Sequence, residues 1–446
     1  MSQSKLVIMG AAGRDFHDFN TVFRGDHRFE VVAFTHTDTQ NIGELDERPN
    51  RRYPPELAGE DYPDGIPIRA ESDLEMLIDE EDVDTVVFSY SDVSHEHVMH
   101  QASRALAAGA DFRLVGPDRM MLHAEVPVVA VDAVRTGCGK SQTARKFADL
   151  LRERGKEVAV VREPMPYGDL LAQRVQRFES MEDLDESDVT IEEREEYEGH
   201  IERGHVVYVG VDYEAILERA QREVEIIVWD GGNNELPFFV PDIHVVVADP
   251  HRAGDELRYH PGETNLRLAD YVLINKENTA DVAGIRTVEE NTLQVNPDAN
   301  IIHANSTITA DAEAITGKRV LVLEDGPTLT HGDAPYGAGL IAARKYGAAE
   351  IIDPEPAAVG SVQRLLEEYD HLDKVLPAMG YSEGQIRDLE ATIQNIDPDV
   401  VVSGTPHDLA RLIDVDCPII RVRYELEEKN ISLDMVLDRH ARELHL

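Results

Sequence analysis

Residues Ala133 to Lys146, AVRTGCGKSQTARK, combine types and spacing that suit triphosphate chemistry. They follow the apolar run Val126 to Val131 and open an amphipathic helical pattern, which predicts a strand, a tight glycine loop and a helix start in that order. In that arrangement the loop through Thr136, Gly137, Cys138, Gly139, Lys140, Ser141 and Gln142 turns its backbone N–H groups toward the phosphates, at the positive end of the helix. Lys140 would reach the outer phosphate oxygens, and the Ser141 hydroxyl would ligate Mg²⁺. The general pattern GxxxxGK[ST] asks for glycine where Val134 stands, so only Gly139-Lys140-Ser141 fits it strictly. A variant with a basic residue five positions before the lysine, here Arg135, and with Gly137 two before Gly139 fits better.

A magnesium–nucleotide site needs a carboxylate beside that loop. Asp230 ends the apolar run of IIVWDGGNN and is placed to hold Mg²⁺ through water, with Gly231 and Gly232 permitting close approach to the γ-phosphate. REPMPYGD, Arg162 to Asp169, follows the strand after the loop helix, and Arg162 is expected to face the transferred phosphate. LINKEN, Leu273 to Asn278, resembles a base-reading element of guanine-nucleotide proteins, but Asn278 replaces the Asp that would accept from guanine, so ATP is expected and GTP stays possible. Asn275 and Lys276 are expected to pack against the base.

The other half of a site is read from the segments after further strands, because ligands of open α/β sheets collect at the carboxyl ends of the strands. GAAGRDFHDFN, Gly10 to Asn20, fails the dinucleotide fingerprint, since Ala12 and Asp15 stand where the second and third glycines belong. Gly13, Arg14, His17 and Asn20 instead offer donors for a phosphorylated or carboxylated ligand, and Ser91 in SYSDVSHEH ends a strand lining the same crevice. A third contribution is LEDGPTLTHGDAPYGAG, Leu323 to Gly339, a loop dense in Gly and Pro with Asp325, Thr330, His331 and Tyr336 among its polar groups.

The elements that must carry these segments are α/β throughout. Residues 1–124 alternate short apolar runs with helical patterns and predict a Rossmann-like domain. Residues 125–317 predict a central P-loop nucleotide-binding domain, a doubly wound, mostly parallel sheet. An acidic helical insert at about 178–204 interrupts it; a solvated helical pair is the default reading and a mobile lid the alternative. Residues 318–446 predict a C-terminal α/β domain.

Composition narrows the partners. In 446 residues, 43 Lys and Arg stand against 87 Asp and Glu, a net charge of −44 spread along the chain. That pattern reads as the solvated surface of a protein from a high-salt, halophile-like cytoplasm and argues against nucleic acid as a partner, which needs a clustered basic face. No apolar run approaches the roughly 18 to 20 residues of a membrane span, and no secretory signal precedes the first strand, so neither a membrane partner nor export is expected. Two cysteines, Cys138 and Cys417, make a disulfide framework implausible and a cytoplasmic location the expectation. A homodimer is the default oligomer, because symmetric dimers are the commonest.

GAAGRDFHDFN, RTGCGKSQTAR, WDGGNN and EDGPTLTHGDAPYGAG together resemble the archaeal cyclic 2,3-diphosphoglycerate synthetase family and its relatives described as predicted GTPases. The resemblance spans nearly the whole chain. It implies a ligase that uses ATP and Mg²⁺ to close an intramolecular phosphoanhydride in 2,3-diphosphoglycerate or a related phosphorylated acid, releasing ADP and phosphate. Lys140, Arg135, Arg162 and Asp230 would neutralise charge in such a transfer, which needs positioning more than acid–base work. A nucleotide-hydrolysing regulatory switch is the alternative.

Overall fold

The structure is a computed structural model that describes residues 3–37, 51–163, 168–187, 189, 191–232, 235–325, 329, 335–369, 371–372, 374–378, 383–405, 409–411 and 413–446. The N-terminal strands are β1 (Ser4–Met9), β2 (Phe29–His36), β3 (Arg52–Tyr53), β4 (Ile66–Ala70), β5 (Thr85–Phe88), β6 (Val93–Ser94) and β7 (Asp111–Leu114). Six of them form one sheet in the order β3-β4-β2-β1-β5-β7, parallel except for β3. The order reverses between β1 and β5, so a crevice opens where the segments after Met9 and Phe88 diverge.

The central strands are β8 (Val128–Ala133), β9 (Val158–Arg162), β10 (Gln176–Phe178), β11 (Val206–Val209), β12 (Ile226–Asp230), β13 (Ile243–Ala248), β14 (Tyr259–His260), β15 (Tyr271–Ile274) and β16 (Asn300–Thr309). Their sheet runs β10-β11-β9-β12-β8-β13-β15-β16, with only β10 antiparallel to its neighbour along the pairings from β10 to β16. Strands β8, β9, β12, β13 and β15 are buried at every residue, which is why they read as near-continuous apolar runs. The β6 strand leaves the first sheet to pair with β14, stitching the two sheets together beside the phosphate loop.

Contacts divide the chain into two compact units. The first comprises Met1–Glu193, His200–Ala304 and Glu428–Leu446, so the two N-terminal α/β blocks share one unit. The reason is a common core. Phe16 and Phe19 pack on Phe34 and Tyr53, and His17 stacks on Phe238, which lies against Trp229 of β12. Each fully buried large side chain of this kind stabilises by about 1.5–3 kcal/mol. The tail returns to the same unit, where Arg154 of the loop helix pairs with Asp434 at 2.6 Å and Asp438 at 2.8 Å.

The second unit comprises Arg194–Gly199 and Asn305–Glu427. Its strands are β17 (Arg319–Asp325), β18 (Glu350–Ile351), β19 (Leu376–Ala378), β20 (Val400–Ser403), β21 (Ile419–Arg421) and β22 (Arg423–Glu428). The first five form a small parallel sheet around β17. The molecule is therefore mixed α/β with parallel sheets. No helix of the described residues is long and apolar enough to cross a membrane.

Candidate functional site

The phosphate loop joins β8 to the helix Lys140–Glu153. Gly137 and Gly139 adopt φ of +81° and +109°, backbone that side chains rarely enter. A Cβ on Gly139 would also lie 2.2 Å from Asn275 Nδ2, so that turn has room for no other residue. Asn275 and Lys276, expected at the base, instead hold the loop's own carbonyls. Asn275 Nδ2 donates to Cys138 O at 2.9 Å, and Lys276 Nζ donates to Gly137 O at 2.6 Å while pairing with Asp249 at 2.7 Å. Arg252 completes the clamp by donating to Thr136 O at 2.7 Å. Gln142 is buried beside the same turn, its Nε2 the next atom a Gly139 Cβ would meet.

Arg135, expected among the phosphate groups, is engaged elsewhere. Its Nε donates to Asp92 at 2.7 Å, its Nη1 to Asp255 at 2.7 Å, and its guanidinium lies 3.6 Å over the Tyr259 ring. Asp92 also accepts from Thr136 N at 3.1 Å, so the loop is tied to the segment after β5. These two ion pairs make Arg135 a brace of the loop rather than a ligand of a phosphate.

At the ends of β9 and β12, Arg162 and Asp230 meet. Both are buried, their ion pair joins Arg162 Nη1 to Asp230 Oδ2, and the same Nη1 lies 3.3 Å from Ser141 Oγ. Burial would raise the Asp230 carboxyl, but Arg162, the hydrogen bond from His200 and the charge of Lys140 hold it below the usual range, so it is ionised. Its Oδ1 is buried with no partner among the described residues. An ionised carboxylate with an open oxygen, next to a serine hydroxyl, is a donor set that fits Mg²⁺. Alongside lies Asp132, which accepts from Trp229 Nε1 at 3.2 Å and contacts His244 Nε2 at 3.0 Å.

The crevice of the first sheet opens next to these groups, and its chemistry differs from what was expected of it. His17 is buried; its Nε2 donates to Met120 O at 2.8 Å, and burial lowers it to about 3, so it is a neutral core ring. Asn20 bridges Tyr53 OH at 2.9 Å and Val211 O at 3.2 Å. Both side chains are engaged in joining the two sheets, and the neutral His17 ring has no N–H left for a ligand. Arg14 is buried and donates to Val115 O at 3.2 Å, with Asp18 at 3.7 Å and Glu235 at 3.9 Å from its Nε.

What gathers around Arg14 is carboxylate. Glu163, the residue after Arg162, reaches the first crevice: a Cβ on Gly13 would lie 2.2 Å from its Oε1, and one on Gly232 would lie 2.6 Å from its Oε2. Glu235 is buried behind it, with Oε2 3.9 Å from Arg14 Nε but without a hydrogen-bond partner among the described residues, and with a hydrogen bond from Ser91. Burial first, and then the charge of Glu163, push Glu235 well above the usual carboxylate range. Asp15 accepts from Ala12 N, Gly13 N and Phe16 N and is raised to about 6 by burial. Two sheets thus deliver Gly13, Arg14, Ser91, Glu163 and Glu235 to one place, within a residue or two of Asp230.

The third expected contribution lies in the second unit. Thr330 and His331 fall outside the described residues, as does the side chain of Asp325, which ends β17. Tyr336 is 38% exposed with Arg344 over its ring at 5.4 Å. Buried Glu324 caps the helix Ala338–Lys345, accepting from Gly337 N, Gly339 N and Leu340 N.

Sequence reasoning passed over Glu163, Glu235 and His200. The first two stand inside quoted motifs, Glu163 directly after Arg162 and Glu235 directly after GGNN, and a search for acceptors as well as donors would have found them. His200 sits in the acidic insert, where neighbouring charge made a solvated helix the default.

No family model matches the chain. It is 60% identical over 427 residues to arginine synthetase ArcE of Thermococcus kodakarensis, covering 96% of this chain and 94% of that protein. Among solved structures it is similar to LpxK of Aquifex aeolicus in complex with ATP, at 12% identity and a TM-score of 0.42 over 73% of this chain and 90% of the other. It is also similar to the hydrogenase maturation factor HypB of Archaeoglobus fulgidus, at 16% identity and a TM-score of 0.27 over 40% of this chain and 81% of the other.

Proposed function

Since the chain belongs to the family of the arginine synthetase ArcE, we propose that this ATP-dependent ligase builds a guanidinium group on an amino acid, with arginine as the product. An ATP-driven route to a guanidinium replaces the oxygen of a ureido group by nitrogen. The γ-phosphoryl group moves from ATP to the ureido oxygen with ADP as the leaving group, nitrogen adds to the carbon, and the C–O bond breaks to release phosphate. The proton lost by the nitrogen nucleophile passes to a carboxylate or to the departing phosphate.

The single observation that carries this reading is the convergence of Glu163 and Glu235 on the Gly13–Arg14 turn beside Asp230. Carboxylates are the complement of a planar cation and of the positive charge that grows as a ureido carbon is activated. On the nucleotide side, the loop amides and Lys140 bind the phosphates, while Ser141 and Asp230 would hold Mg²⁺. That ion, when bound, neutralises charge on the β- and γ-phosphates. Arg162 orients Asp230, and Arg135 braces the loop.

A second reading, closure of a phosphoanhydride in 2,3-diphosphoglycerate, draws on the motif resemblance and on Arg14. It stands second because the groups gathered at Arg14 are the carboxyls of Glu163, Glu235 and Asp15, whereas a substrate carrying several negative charges calls for cations and N–H donors in that place. One experiment separates the readings. Enzyme, Mg²⁺-ATP and ammonium are incubated with a ureido amino acid or with 2,3-diphosphoglycerate, and products are followed by mass spectrometry and phosphorus NMR. Arginine formed stoichiometrically with ADP supports the proposal, and new anhydride resonances support the second reading. Hydrolysis with neither product refutes both and leaves the switch. Lys140→Ala should abolish any ATP-dependent turnover.

A further inference from the structure

Asp230 is held from a second side by a chain of hydrogen bonds that runs outward through the acidic insert. His200, in the last turn of the helix Ile191–Ile201, places Nε2 3.0 Å from Asp230 Oδ2. Its Nδ1 lies 3.1 Å from Nδ1 of His205, whose Nε2 lies 2.8 Å from Asp149 Oδ1 on the loop helix. Both imidazoles are fully buried, and Asp149 is partly exposed, with Arg203 Nη1 at 2.5 Å from its other oxygen.

Donor and acceptor roles along this chain are fixed by its ends. An ionised carboxylate only accepts, so His200 donates through Nε2 to Asp230 and His205 donates through Nε2 to Asp149. One further proton lies between the two Nδ1 atoms, so the two rings together carry three N–H protons. With that proton on either ring, His200 Nε2 donates to Asp230, and Oδ2 of Asp230 is pinned between His200 and Arg162.

We propose that His205 and Asp149 are positioning residues for the nucleotide site: acting through His200, they fix the rotation of the Asp230 carboxylate and keep Oδ1 open for a divalent cation. The proposal rests on Asp230 belonging to the cation site. A carboxylate with one oxygen doubly engaged cannot swing, and the oxygen left without a protein partner among the described residues is Oδ1. Outer partners of this kind set ligand orientation, and their loss typically weakens metal binding or activity about 10- to 100-fold.

The test has two readouts. In metal- and nucleotide-free protein labelled with ¹⁵N-histidine, NMR should show His200 in a form protonated at Nε2. His205→Gln, whose amide can still donate to His200 Nδ1, should preserve that form, whereas His205→Ala and Asp149→Ala should give a mixture. With ATP present, Mn²⁺ affinity read by electron paramagnetic resonance should fall roughly 10- to 100-fold in His205→Ala and recover to within a few-fold in His205→Gln. An unchanged tautomer and Mn²⁺ affinity in His205→Ala would overturn the proposal. So would a His205→Gln variant as impaired as His205→Ala with a lowered Tm, since that is the pattern of lost packing. Should Lys140→Ala retain ATP turnover, the nucleotide-site reading would fall while the tautomer result would still stand, so the two failures are distinguishable.

Discussion

Replacing Asn275 by alanine removes one side-chain amide and leaves the Cys138 carbonyl, in a buried turn, without its donor at 2.9 Å. Stranding a buried acceptor costs about 1–3 kcal/mol. The carbonyl belongs to the phosphate loop, so this energy is lost from the loop conformation that presents its N–H groups, and nucleotide binding must then restore it. At about 1.4 kcal/mol per tenfold, the expected effect is a roughly five- to a hundredfold increase in Kd for ATP. Because Asn275 acts on the loop and not on a base, the loss should be equal for ATP, GTP and inorganic triphosphate. Isothermal titration of the three ligands against wild type and Asn275→Ala measures this directly. A loss confined to ATP, with triphosphate binding unchanged, would refute the reasoning and return Asn275 to the base.

Three further outcomes are expected. Gly13→Ala places a methyl group 2.2 Å from Glu163 Oε1. Displacing that carboxylate by about 1 Å should lower kcat/KM on the order of a hundredfold with little change in Tm, as steady-state kinetics and a thermal melt will show. For Glu235 the folded pKa lies above the ordinary value, so the folded state disfavours its ionised form. Wild-type stability therefore falls as pH rises from the ordinary glutamate value toward the raised one, and Glu235→Gln escapes that loss. Its Tm advantage should grow from near zero at about pH 4 to a clear excess at about pH 8, and parallel melting curves would contradict the assignment. His17→Leu loses the Met120 hydrogen bond and the Phe238 stack, so it should cost about 1–3 kcal/mol of stability while leaving the KM for ATP unchanged.

The parts of this molecule that were legible in its sequence are those set by local physics. The strand Val128–Ala133, the glycine turn and the helix from Lys140 announce themselves, because a buried parallel strand must be continuously apolar and a left-handed turn must have glycine. Asp230 at the end of β12 was visible for the same reason. Contacts between distant segments were not. Nothing near His17 tells that its ring turns inward onto Phe238, more than two hundred positions along, and a polar helix start reads equally well as a ligand turn. Nor does the pattern around Glu235 show that Arg14 and Ser91 lie against it. The acidic insert misled in the opposite way, since its charge hid His200, which is buried. Asn275 and Lys276 were noticed for their motif, but only their distances to Cys138 and Gly137 assign them to the loop.

Asp92 sits between two duties. Its carboxylate receives Arg135 and the Thr136 amide of the phosphate loop, and its neighbour Ser91 holds Glu235 across a single peptide bond. A shift of the loop on taking up a triphosphate is therefore felt at Glu235, and a ligand that draws on Glu235 is felt at the loop. The kinetic consequence is synergy between the two ligands. Occupancy of either cavity alters the dissociation constant at the other by the same factor, because coupling free energy is reciprocal. Initial-rate patterns in which each ligand changes the apparent KM of the other are the signature of this arrangement, with Asp92 as the pivot.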